Sequence, residues 1–344
     1  STWQEQDFWA LLGIVGAFVL AMLPLDLVGG YWLPTHYGRN SASFADFFGG
    51  WLVGVGLQST LFLITALAIL AVGRVAGVAG VAILIVALAV IYVALQRCLV
   101  RLLTNGAVKC PPRDFEVLHQ QLRQWNLPQK AIEVVRHEDP GFTGGVVGLP
   151  GRETIVIPAR WLAELKPQQL AAAVARRLIA IESKSRTYGL LIALVWMLAG
   201  FFLATRFPGA GVETVAGLAN VMLCFTLWTF LGLLTLPTVS RHASYVIDQL
   251  VVQRGVRLEN LQSTLRSIDG LQDDEPQRNA AIETFFHPVP CVSNRRATSA
   301  RGSFGAWHAA RMFLFLSWSC LGLLSRAVHC NVGRPELWAM LPTD

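Results

Sequence analysis

Long apolar runs confine this chain to a membrane more firmly than any other feature. Phe8 to about Leu33, FWALLGIVGAFVLAMLPLDLVGGYWL, is the first; Gly50–Val72 and Val75–Leu95 follow, with Arg74 between them. Tyr188–Thr205 and Val212–Leu236 are two more, joined by the turn RFPGAG. Helices of this length suit a hydrocarbon core of about 30 Å. The chain is 53% hydrophobic and only 15% charged, where soluble proteins carry about a quarter charged residues. A sixth apolar stretch, Phe304–Val328, is interrupted by His308, Arg311 and Arg326. It is expected either to span or to lie in the interface as an amphipathic helix. The expected fold class is a polytopic α-helical membrane protein of five to six transmembrane helices with a small cytoplasmic α+β domain.

Charge location sets the expected topology. Of the 28 Lys and Arg, 14 lie in Arg97–Arg186 and 8 in Leu236–Gly302. Basic segments flanking spans stay cytoplasmic. Topology therefore accounts for the net charge of +6 before nucleic acid does, and no nucleic-acid partner is expected. The start, STWQEQD, has acids and no Lys or Arg, so no cleavable signal peptide is expected and the first span is retained. Asp26 lies near the end of that span. An acid there is either functional or an interfacial carboxylate beside Gly29-Gly30. The six Cys show neither C-x-x-C spacing nor a disulfide framework.

The polar stretches have their own periodicities. Pro112–Asn126 is an amphipathic helix with Phe115, Leu118, Leu122 and Trp125 on one face. Ile132–Arg136 is a short strand. Phe142–Pro158, FTGGVVGLPGRETIVIP, is a hairpin around Leu-Pro-Gly. Leu165–Ser185, LKPQQLAAAVARRLIAIESKS, is a helix rich in Ala and Leu, with Pro167 in its first turn. Leu258–Ile268 is another helix, followed by the acidic patch Asp273-Asp274-Glu275-Pro276, and Ser293–Gly302 is a basic loop.

Several stretches of the chain resemble the integral-membrane zinc metallopeptidases of the CAAX prenyl endopeptidase and HtpX heat-shock protease type. Tyr37, Gly38, Asn40, Ser43 and Phe47 fall on that family's N-terminal pattern, with Arg39 in place of its aromatic. Gly148, Gly151 and Ile155-Val156 fall on the hairpin that precedes its active-site helix, with Thr143-Gly144 in place of Asn-Ala. Leu165, Pro167, Leu170, Ala172 and Ala175 fall on the active-site helix, L-S-P-E-E-L-x-A-V-x-A-H-E-x-G-H. Ser240, Arg241 and Asp248 fall on S-R-x-x-E-x-x-A-D, and Phe286-His287-Pro288 resembles a C-terminal His-Pro. The resemblance covers about Tyr31–Pro288.

The chemistry of the family does not carry over. Its two zinc-binding His positions fall on Arg176 and Ala180, its catalytic Glu on Arg177, and its third ligand on Ser244. Zinc needs two imidazoles on one helical face, one turn apart, and no two of the seven His lie within four residues of each other. Arg has five donors and no acceptor, so it cannot ligate. The resemblance thus implies a degenerate metallopeptidase-like domain with no catalytic residue and no zinc or other cofactor. It also implies a binding groove along the hairpin edge, at Thr143, Gly144, Gly145 and Val146, where a peptide adds as a strand. An alternative is that the hairpin only covers the helix. Arg241, Asp248 and His287 would form a structural polar site.

The expected organisation is a three-span region over residues 1–103, a cytoplasmic peptidase-like segment over 104–186, two spans over 187–236, a cytoplasmic helical segment over 237–303, and a sixth span with tail over 304–344. Three functions remain open. The first is a pseudopeptidase acting as a structural, accessory or partner-binding subunit of a membrane complex. The second is an active zinc endopeptidase with unconventional ligands among His137, His242, His287, Asp248 or a Cys. The third is an isoprenoid- or lipid-binding protein. Membrane lipids and a partner membrane protein are the expected partners, and the expected location is the bacterial inner membrane, peptidase-like side cytoplasmic. Arg176 and Arg177 point about 100° apart on a helix. If the family fold is kept, one of them meets Asp248 in an ion pair where a metal would have bridged two helices; otherwise both snorkel outward.

Overall fold

The computed structural model describes residues 5–38, 43–104, 112–137, 142–271, 277–279, 281, 283, 289–297 and 305–321. Apolar runs become helices because only a helix satisfies its own backbone in lipid. α1 (Glu5–Leu27) continues through a π-helical turn, Val28–Trp32, into the short α2 (Leu33–His36). α3 (Phe44–Leu103) is 60 residues long, about 90 Å if straight. It is two helices meeting at Gly77, whose φ of 61° and ψ of −159° leave the helical region. Glycine takes such a conformation without a Cβ penalty, so the break sits three residues beyond the expected link at Arg74. α1–α2, α3, α7 (Ser185–Ala204) and α8 (Val215–Gln253) are each long and apolar enough to cross a membrane.

The chain forms two compact units. The first comprises residues 1–92, 194–232 and 313–340. Its buried carboxylates are hydrogen-bonded: Arg74 donates two bonds to Asp7, at 2.6 and 3.0 Å. Asp26, fully buried, accepts from the Trp51 indole at 2.8 Å. Trp196 and Trp228 stack with centroids 4.5 Å apart.

The second unit comprises residues 93–193, 233–312 and 341–344. Its amphipathic helix α4 (Pro112–Gln124) buries Leu118 and Leu122 as the periodicity requires, with Trp125 just beyond it. β1 (Ala131–Val135), β2 (Gly145–Val147) and β3 (Thr154–Pro158) make a sheet of order β1-β3-β2. β1 runs parallel to β3, pairing Ile132 with Ile155; β2 runs antiparallel, pairing Val146 with Ile155. After the short α5 (Trp161–Glu164) comes α6 (Pro167–Glu182). It opens with Pro at its first position and with the Lys166 N–H donating to Gln169 Oε1 at 2.9 Å, answering one orphan donor. It ends before Lys184, whose φ of 59° turns the chain into α7. α6 packs against α4 and α9 (Leu258–Leu271). α10 (Val292–Ala297) and α11 (Ala309–Cys320) complete the described helices.

α8 runs unbroken through Pro237, past the expected end of the fifth span at Leu236. The span and the S-R-x-x-S motif are thus one helix, and the motif's backbone is already rigid where it leaves the apolar stretch. Ser293–Gly302 is not loop throughout, since its first residues lie in α10. Among the described residues the last apolar stretch gives a helix of 12 residues, about 18 Å; Phe304 and residues 322–328 lie outside the described residues, as do His287 and the acidic patch Asp273–Pro276.

Candidate functional site

Every residue of α6 from Leu170 to Ala180 is buried. A helix with one apolar stripe leaves its other face to water; this one is enclosed on all sides, so Arg176 and Arg177, at 1% and 0% exposure, both lie inside although they point about 100° apart. Buried guanidiniums need acceptors. Arg176 Nε donates to Asp248 Oδ1 at 2.9 Å, joining α6 to α8. Arg295, on α10, grips the same carboxylate in a fork: Nε to Oδ2 at 2.6 Å and Nη2 to Oδ1 at 2.8 Å. Asp248 therefore stands between two guanidiniums, with both oxygens engaged.

Arg177 takes the other direction. Its Nη1 donates to the Ala173 carbonyl at 3.0 Å and its Nη2 to the Thr143 carbonyl at 2.9 Å. Its guanidinium also lies 4.9 Å from the centroid of the Trp161 ring, within cation–π range. It thereby fastens the approach to β2 onto α6. At Gly144 the backbone has φ +72°, and a Cβ there would meet the Val156 carbonyl oxygen at 2.2 Å. Neither condition admits a side chain, which accounts for glycine where the resembled family has alanine.

The groove residues are brought together: Thr143, Gly144, Gly145 and Val146 are all buried, as is the whole of β2, the outer strand of the sheet. The Thr143 carbonyl, just before β2, accepts from Arg177. Ala180 is buried in the same core as Ala243 and Ile247 of α8. Ser244, one turn before Asp248, turns its hydroxyl back to the Ser240 carbonyl at 3.4 Å. Arg241 bonds Thr238 Oγ1 at 3.1 Å; Asp248 is held by Arg176 and Arg295 instead. Glu182 faces outward in a pair with Arg254.

These side chains do not fit zinc. Two of the four family positions carry guanidiniums, one carries a methyl group, and Ser244 offers a neutral hydroxyl already donating to backbone. Among the described residues no three His, Cys, Asp or Glu side chains gather where an ion could sit.

Sequence reasoning missed Arg295, Trp161 and Glu133. Glu133 on β1 accepts from Arg97 at 2.9 Å and from Arg101 at 2.5 Å. Burial pushes its carboxyl up, and the two guanidiniums outweigh this and hold it below its ordinary value. Nothing in spacing could pair Arg295 with an acid 47 residues away.

No family model matches the chain, and no curated protein matches it in sequence. Among solved structures it is similar to the crystal structure of S. mikatae Ste24p, with a TM-score of 0.67 and 13% identity over 83% of this chain and 73% of that one. At that identity the likeness is one of fold: a mostly helical chain with four apolar helices able to cross a membrane and a small sheet, consistent with a Ste24-like membrane protein.

Proposed function

We propose that this chain is a catalytically inactive relative of the membrane metallopeptidases, a pseudopeptidase that serves as a structural, accessory or partner-binding subunit of a membrane complex. One observation carries the reading: Asp248 is clamped between Arg176 and Arg295 where the family frame puts a metal-bridged pair of helices. In this reading the clamp joins the same two helices in place of a metal, and the position of the family's catalytic Glu carries Arg177. The Ste24p-like fold supports the relationship. In this reading α3 crosses twice around Gly77, giving five crossings with α1, α7 and α8. The peptidase-like unit is cytoplasmic, in a bacterial inner membrane, as its cation excess favours. Partners are membrane lipids and another membrane protein.

Zinc analysis and peptide cleavage by the purified full chain test the catalytic half of the proposal. Well under one zinc per chain and no cleavage are expected, and stoichiometric zinc with cleavage would overturn it. Mild-detergent purification tests the subunit half: a membrane protein in fixed ratio is expected, and a chain that runs alone from its native membrane would count against it.

A further inference from the structure

Arg295 reaches Asp248 from α10, a helix of only six residues. A helix that short does not hold itself together in water, so its place and its rotation are set by what its side chains grip. Val292, its first residue, is buried in one core with Leu261 and Leu265 of α9, against which α10 packs. That apolar contact keeps the helix on the core, but it is non-directional and does not by itself aim Arg295.

The direction comes from Glu283. Its carboxylate, 3% exposed, accepts from the Cys291 N–H at 3.3 Å, at the entry to α10, and from Asn294 Nδ2 at 3.1 and 3.0 Å. Burial pushes this carboxyl up, and the Cys291 and Asn294 donors outweigh it and hold it below its ordinary value. At neutral pH it is therefore ionised and only accepts. Asn294 and Arg295 are consecutive and point about 100° apart around the helix. With the entry and Asn294 both held on Glu283, the rotation of α10 is fixed, and it is the one that sends Arg295 onto both oxygens of Asp248. α10 is thus held between two buried carboxylates.

We propose that α10 is a latch on the joint between α6 and α8, and that Glu283 is the positioning residue that sets it. Docked, the latch delivers Arg295 to Asp248; released, it leaves Asp248 to Arg176. Whatever loosens α10 therefore loosens the joint, and by linkage whatever loosens the joint loosens α10. The latch rests on the clamp that the proposed function invokes. Its test reads the docking of α10 and not zinc or cleavage, so either reading can fail while the other stands.

Cys291 is a native reporter, a free thiol 1% exposed. In the full chain in detergent, with the other cysteines replaced by serine or alanine, its rate of reaction with a small thiol reagent reads release of α10. Glu283→Ala should raise that rate at least about ten-fold, as loss of hydrogen bonds to a charged group does. Glu283→Gln, which keeps one acceptor oxygen, should raise it by a smaller factor. Melting temperatures complete a double-mutant cycle: the drop caused by Glu283→Ala should be at most about half as large in an Arg295→Gln chain, whose latch brings no charge to Asp248. A thiol rate unchanged in Glu283→Ala overturns the latch. Equal drops in the two backgrounds overturn the positioning role, since Glu283 would then act without Arg295. Hydrogen exchange of the wild-type chain serves where a variant fails to fold. The amides of α10 should exchange by local opening, faster than those of α6, and exchange in α10 as slow as in α6 would also overturn the latch.

Discussion

Arg176 and Asp248 are 72 residues apart in sequence and 2.9 Å apart in space. The pair ties α6 to α8 inside a core where each side chain is almost fully buried. A second guanidinium, Arg295, grips the same carboxylate. Removing the acid therefore takes a buried ionic partner from both arginines.

Asp248→Asn should cost about 3–5 kcal/mol of stability, the usual penalty for stripping one partner from a buried pair. Glu182→Gln, which removes the exposed partner of Arg254, should cost about 0–1 kcal/mol. Melting temperatures of both variants in detergent check the contrast. An Asp248→Asn chain that melts like the wild type would remove the clamp from the argument.

Restoring the ligand set should restore metal binding. Arg176→His, Arg177→Glu, Ala180→His and Ser244→Glu together return the resembled family's residues to α6 and α8. Zinc per chain, measured by mass spectrometry, should rise from well below one to about one, the occupancy of a single closed site. A quadruple variant that folds and binds no zinc would mean that the two helices no longer hold the ligand geometry.

Gly144→Ala should destabilise the hairpin. The new methyl would meet the Val156 oxygen at 2.2 Å, and the backbone sits at φ +72°. A loss of about 1–3 kcal/mol is expected, with faster hydrogen exchange in β2 and β3. Unchanged exchange would show that the strand can shift to accept the methyl.

Acid should weaken the second unit. Burial pushes the carboxyls of Glu133, Glu153 and Glu283 up. Arg101 and Arg97 for the first, the Gly151 N–H and Lys130 for the second, and Cys291 and Asn294 for the third outweigh it, so each folded value lies below the ordinary 4.5. A lowered carboxyl stabilises fully above its unfolded value and stops doing so as pH falls through the folded one. The melting temperature should thus be flat above about pH 5 and fall below about pH 4.5. Glu133→Gln should reduce the fall by about 1 kcal/mol or less, since Arg97 and Arg101 are half exposed to solvent. A fall of the same size in the variant would assign the acid sensitivity to other groups.

A single cysteine at Gln129, an exposed position before β1, should resist membrane-impermeant reagents in intact cells once the native cysteines are replaced. Ready labelling from outside would reverse the orientation.

Apolar length and period were legible in the residues themselves. The runs that start at Phe8, Gly50, Val75, Tyr188 and Val212 are each helical over most of their length, and the face of Leu118 and Leu122 is the buried one. The helix at Pro167–Glu182 and the hairpin before it were legible for the same reason: propensity, turn chemistry and alternation act between near neighbours. That two positions of the resembled family's active-site helix fall on Arg176 and Arg177 was also plain from the sequence, because it is a matter of identity at a position. What those arginines do was left to tertiary structure. Arg177 turns to a carbonyl 34 residues before it, and Arg295 arrives from 47 residues beyond Asp248. No local period encodes either distance. A buried charge is settled by whichever acceptors the packed core brings within about 3 Å, and that is decided only when the helices close around it.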